Sequence, residues 1–128
     1  MSTASKGAQR EHAAKRLLES EGWAVTRGAG SHGCADLWCA KWVFERKTDR
    51  PEDAKDYVDV YYDAKTVLRL IQVKGNTGSP YKNFSPAERS ELSALAKQTG
   101  GVAELWHWPP RKPLEIHLEP DWPSIREP

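Results

Sequence analysis

The chain has 128 residues, 38% of them hydrophobic and 29% charged, which fits one compact domain with a moderate core. No apolar run approaches the roughly 20 residues of a membrane helix, and Cys34 and Cys39 are too few for a disulfide scaffold and are not spaced as C-x-x-C. They read as reduced thiols of a cytosolic protein. The net charge is only +1, but it is unevenly spread. Residues 1–48 carry eight basic and five acidic side chains, and residues 66–118 carry seven and four. Between them, residues 49–65 carry three basic and six acidic, and the last ten residues carry one and three. Two basic blocks of +3 each are therefore separated by an acidic stretch, a distribution that suits a polyanion or an ordinary solvated surface.

The N-terminal "MSTASKGAQREHAAKR" has no apolar h-region, so no secretory signal is expected. The stretch from Lys6 to Glu21 is rich in Ala, Leu, Glu, Lys and Arg and predicts a helix. Ala14, Leu17 and Leu18 supply its apolar stripe, and Gly22 ends it. "WAVTR" predicts a short strand and "GAGSHG" a loop. "CADLWCAKWVF" predicts a second strand, and "LRLIQVK" a third with Leu68, Leu70, Gln72 and Lys74 on one face. Residues 49–65 are ambiguous, because "PEDAKD" favours a helical turn whereas "YVDVYYD" alternates like a strand.

"SPAERSELSALAKQTGG" carries the clearest local signal. Ser85 is placed as N-cap, Pro86 at the first helical position and Glu88 as partner in a capping box. Leu92, Leu95 and Ala96 form the stripe, and Gly100-Gly101 the stop. "VAELWHW" and "LEIHL" follow as a strand pair around "PPRKP". The tail from Glu119 is expected to dock irregularly through Trp122. Helix, three strands, helix and two strands give an α/β sandwich around a mixed sheet.

Four polar residues fall where apolar ones are expected. Glu11 shares a helix face with Ala14 and Leu18. Asp36 opens a strand after a glycine-containing loop, and Gln72 and Lys74 share the face of an apolar strand. Buried carboxylates are costly unless paired or bound to a cation, and an oxygen-rich pocket suits a hard ion such as Mg²⁺. Taken singly, each residue also fits an ordinary role: Glu11 pairing with Arg10 or Lys15, Asp36 capping a turn, Gln72 and Lys74 on a solvated sheet face.

Their order is more telling: an acid in the first helix, an "RG-G-S" loop, an acid opening the second strand, then "Q-x-K" in the third. In "GAQREHAAKRLLESEGWAVTRGAGSHGCADLWCAK", "LRLIQVKGN" and "FSPAERSELSALAKQTGGVAELWHW" the chain resembles the PD-(D/E)XK nuclease superfamily. Within it, the chain looks most like archaeal-type Holliday junction resolvases, including bacterial and phage versions. The likeness spans roughly residues 6–118 and omits a 42–66 insert and the tail at 119–128, all within one domain, 1–128.

The resemblance implies a restriction-endonuclease-like mixed five-stranded sheet flanked by helices. It also implies a homodimer that hydrolyses phosphodiesters of branched DNA with Mg²⁺, or Mn²⁺ in its place. Glu11, Asp36, Gln72 and the Val73 carbonyl would hold the metal, Lys74 would orient the attacking water, and Arg10, Arg27 and Ser31 would contact the DNA backbone. His32 lies in the same loop. Other nucleases of the superfamily (flap, repair or restriction types) and a non-catalytic DNA-binding module remain alternatives.

Two departures stand out. The superfamily usually has Asp or Glu where this chain has Gln72. "FERK" also offers a rival acid-x-lysine pair, Glu45 and Lys47, although it runs directly into polar, turn-forming residues. Asp49, Glu52, Asp53, Asp56, Asp59 and Asp63 lack calcium-loop spacing and read as a solvated edge. His107 and His117 read as structural strand residues, and Trp106, Trp108 and Trp122 as core or dimer contacts.

Overall fold

The computed structural model describes residues 3–28, 35–49 and 58–123. Helix α1 (Thr3–Ser20) leads into β1 (Ala24–Arg27), β2 (Leu37–Asp49) and β3 (Asp59–Lys74). Helix α2 (Pro86–Thr99), β4 (Val102–His107) and β5 (Glu115–Leu118) complete the domain. The five strands lie side by side in chain order. Only β3 and β4 are parallel, joined by the crossover that contains α2. The other neighbours pair antiparallel. The expected α/β class and mixed five-stranded sheet are thus observed.

A helix covers each face of the sheet. On one, Ala14 and Leu18 of α1 pack against Leu37, Cys39, Ile71 and Trp106. On the other, Leu92 and Ala96 of α2 pack with Leu70, Ala103, Leu105, Ala35 and Phe84. Leu70 and Ile71 are adjacent in sequence yet serve opposite layers, as strand alternation requires. Each fully buried side chain of this size contributes about 1.5–3 kcal/mol. Leu17 departs from the expected α1 stripe and stands 36% exposed, because the stripe needed to cover this narrow sheet face is met by Ala14 and Leu18.

Helix α2 has the expected ends. The Ser85 hydroxyl accepts from the Glu88 amide at 3.1 Å, and the Glu88 carboxylate accepts from the Ser85 amide at 3.4 Å. Gly100, with φ 73°, caps the other end. In the tail, Glu119–Asp121 form a 3₁₀ turn, and Trp122 docks edge-on against Phe84 with its ring nitrogen donating to the His117 carbonyl at 2.9 Å.

The third strand is much longer than "LRLIQVK". It begins at Asp59 and pairs with β2 from Asp59↔Asp49 to Ile71↔Leu37. The described residues of the 42–66 segment therefore extend two sheet strands and form no separate unit. Trp42, Phe44, Tyr62 and Val60 share one face of this arm, which is the α2 face of the sheet by register. All four are exposed. Glu45, Lys47, Asp59 and Asp63 occupy the opposite face.

Candidate functional site

The carboxyl end of β3 gathers most of the polar residues singled out in the sequence. Asp36 lies in a bend just before β2, with its amide donating to the Ile71 carbonyl at 2.9 Å. Its carboxylate Oδ2 accepts from the Val73 amide at 2.8 Å. Its carbonyl accepts from Gly28 at 2.8 Å, which brings the end of β1 alongside. Residue 28 must be glycine for this approach, since a Cβ there would lie 2.5 Å from the Ala35 carbonyl oxygen.

Glu11 reaches the same place from α1. Burial is the largest influence on Asp36 and raises its pKa; the Val73 hydrogen bond opposes this. The charge of Glu11 and a hydrogen bond between the two carboxyls raise it further, while Lys74 lowers it. The result is a carboxyl pushed up to about 6. Two carboxyls within hydrogen-bonding reach of each other, both half-buried, form an oxygen-donor set that a divalent cation would relieve of repulsion.

Cations surround this pair. Arg27 Nη2 donates to Glu11 Oε2 at 2.7 Å, and Nη1 lies 3.1 Å from His12 Nε2. The buried Arg27 Nε has no hydrogen-bond partner among the described residues. Arg10 lies over Gly75, where an added Cβ would fall 2.0 Å from the Arg10 Nε. Gly75 thus leaves room for a guanidinium directly after Lys74. Arg10 also lines a cavity of about 450 Å³ with Arg111 and Lys112 of the β4–β5 turn. Those two cations were invisible as site residues in the sequence, where "PPRKP" signals only a turn.

Gln72 and Lys74 stand on the α2 face of β3, as expected, and both are half-buried. Lys74 Nζ lies 3.2 Å from Glu88 Oε2. The capping glutamate of α2 is therefore also the ionic partner of Lys74, and it brings a third carboxylate to the face where Gln72 supplies only an amide. The capping box announces Glu88 in the sequence, but nothing local links it to Lys74, 14 residues earlier.

Glu45 and Lys47 are not brought to this cluster. They pair with each other at 3.5 Å on the outer arm, Glu45 exposed and Lys47 half-buried. Eight residues of strand separate Glu45 from Leu37, roughly 27 Å at the usual rise. Ser31, His32 and Cys34 lie outside the described residues. Cys39 is buried, and burial pushes its thiol up to about 11, so it stays protonated. No described helix is long and apolar enough to cross a membrane.

No protein-family model and no curated protein matches the sequence. The fold is similar to a solved structure of Archaeoglobus fulgidus Hjc, a Holliday junction resolvase from an archaeal hyperthermophile. The TM-score is 0.60 at 18% identity, over 90% of this chain and 74% of that one. At that identity the likeness establishes a shared fold.

Proposed function

We propose that this chain is a divalent-metal-dependent endonuclease that resolves four-way DNA junctions as a homodimer. The observation that carries the proposal is the Glu11–Asp36 carboxyl pair, held against the end of β3 beside Lys74 and ion-paired with Arg27, with Arg10 over the adjoining Gly75. The donor set fits Mg²⁺: the Glu11 and Asp36 carboxylates, which the Gln72 amide oxygen and the Val73 carbonyl would complete. Such an ion, when bound, offsets charge developing at a phosphate and makes water a better nucleophile.

The chain's own groups supply the rest. Lys74, steadied by Glu88, orients the attacking water. Arg10 and Arg27 hold the DNA backbone through charge-assisted hydrogen bonds to phosphate oxygens. A two-fold dimer would present two such sites to a junction that needs two symmetric cuts. The deciding assay compares a labelled four-way junction with linear duplex and flap substrates, with and without Mg²⁺. Paired, Mg²⁺-dependent cuts in the junction are expected, and equal cutting of the linear duplex would instead make the enzyme another nuclease of this fold. The neutral Gln72 favours one further possibility, a junction-binding module without catalysis, for which binding without any cleavage is the signature.

Gln72 itself yields a prediction. A glutamate there adds a charge beside the cation, so Gln72→Glu should lower the Mg²⁺ concentration giving half-maximal rate. Glu45→Gln, far out on the arm, should leave cleavage unchanged. An inactive Glu45→Gln beside an unshifted Gln72→Glu would transfer the site to the rival pair.

The apolar arm face supports the dimer. Trp42, Tyr62 and Phe44 are 67%, 64% and 61% exposed, and Trp42 and Phe44 meet edge-on at 6.2 Å. A contiguous apolar face of this kind is a usual association surface. Trp42→Lys combined with Tyr62→Lys should convert the dimer to monomer in sedimentation equilibrium. An unchanged mass would remove the arm from the interface.

A further inference from the structure

A second polar cluster lies on the sheet's far side from α1, across β4 and β5. His107 is directly opposite Glu115, and His117 is two residues further along β5, so all three share one face. One ligand atom from each lies within 4.8 Å of those from the other two. His107 Nε2 lies 2.7 Å from the Asn76 carbonyl oxygen. A carbonyl only accepts, so Nε2 carries the hydrogen and neutral His107 keeps its lone pair on Nδ1. That Nδ1 lies 4.0 Å from Glu115 Oε2. His117 Nδ1 lies 3.3 Å from the Tyr81 hydroxyl, and its Nε2 is 3.2 Å from the same Glu115 Oε2. Each imidazole is thus tethered by its outer nitrogen; in the metal-free chain His117 donates its Nε2 hydrogen to the Glu115 carboxylate, and metal binding would move that hydrogen to Nδ1, which can donate to the Tyr81 hydroxyl oxygen.

Outer-nitrogen tethers to a carbonyl or hydroxyl are what orient metal-binding histidines. Zinc bonds of about 2.0–2.1 Å place tetrahedral ligand atoms about 3.4 Å apart. The 3.2 Å and 4.0 Å spacings already bracket that value. Glu115 is 63% exposed along its side chain and free to adjust, whereas His107 is 6% exposed and fixed. His107 and Glu115 also line a cavity of about 340 Å³ with Gly78, Pro80 and Lys112, which leaves room for a fourth ligand such as water.

We propose that His107, Glu115 and His117 bind Zn²⁺, or a similar transition-metal ion, at a site separate from the Glu11–Asp36 pair. Two imidazoles and one carboxylate select a borderline-soft ion over Mg²⁺. Through Asn76 and Tyr81 the ion would fasten the β4–β5 hairpin to the turn that follows Lys74, a structural role independent of whether the chain cleaves DNA.

Calorimetric titration of the untagged, metal-stripped chain with ZnCl₂ tests this directly. One Zn²⁺ per chain is expected, unaffected by excess Mg²⁺ and accompanied by a higher melting temperature. Glu115→Gln and His117→Gln should each weaken Zn²⁺ binding tenfold or more and abolish the melting shift. Glu115 is exposed, so its variant should fold normally. Co²⁺ in place of Zn²⁺ should give a spectrum without a thiolate charge-transfer band. Absence of stoichiometric Zn²⁺ binding, full affinity in both variants, or a thiolate band would each overturn the site.

Discussion

Asp36→Asn and Lys74→Ala should each reduce cleavage of a four-way junction by about a hundredfold or more while largely sparing junction binding, as loss of a group acting only at the reacting phosphate does. Asp36 holds its place through its own backbone and the Val73 amide, and an asparagine Oδ1 can accept that bond. The loop geometry should survive while the charge is lost. Near-normal cleavage by either variant would remove the proposed mechanism.

The same asparagine variant should show a second effect in the metal-free protein. Asp36 has a pKa of about 6 against an ordinary 3.8, chiefly because of burial. The folded state therefore holds this proton more tightly than the unfolded chain. Stability falls as pH rises through the interval from 3.8 to about 6, and the loss is complete above it. Asp36→Asn removes that loss. With chelator present, the variant should melt above the parent at pH 8, and the two should converge toward pH 4. Equal melting at pH 8 would mean that the Asp36 charge is no burden to the fold.

This balance explains why the site was only partly legible in the sequence. A carboxylate that weakens the metal-free fold looks, residue by residue, like a turn cap. Only the order of Glu11, Asp36, Gln72 and Lys74 along the chain marked it out. Helix α2 was legible in full, because Ser85, Pro86, Glu88 and Gly100 act within one turn of the ends they set. The start of β3 was not. Asp59 to Thr66 are exposed and owe their strand form to pairing with β2, a partner that local pattern does not reveal. The ion pair of Glu88 with Lys74 and that of Arg69 with Glu104 were likewise hidden, since each joins elements the chain brings together only through the sheet.

Arg69→Met should be among the most destabilising single changes outside the site. Arg69 Nε and Nη2 each donate to a Glu104 carboxylate oxygen at 2.7 Å, a two-pronged pair with Glu104 only 4% exposed along its side chain. Hydrogen bonding to Glu104 is the largest influence on the Arg69 guanidinium and raises its pKa. The guanidinium also stacks on Trp23 at 4.8 Å and faces Trp106 at 5.7 Å. Methionine would leave the Glu104 carboxylate buried, with the Trp106 ring nitrogen donating to it from 2.9 Å but no cation beside it. Breaking a buried pair from one side costs about 3–5 kcal/mol, a large part of the 5–15 kcal/mol that holds a typical domain together. Replacing both partners, Arg69→Met with Glu104→Leu, should recover much of that, because no charge is then stranded. Recovery should fall short by about 1–3 kcal/mol, since the Trp106 ring nitrogen would lose its acceptor in a buried setting. Urea denaturation midpoints of the parent, both single variants and the double variant measure these differences. A loss below about 1 kcal/mol in Arg69→Met, the range of a solvent-exposed pair, would mean that water reaches Glu104 and that the pair does not anchor β3 to β4.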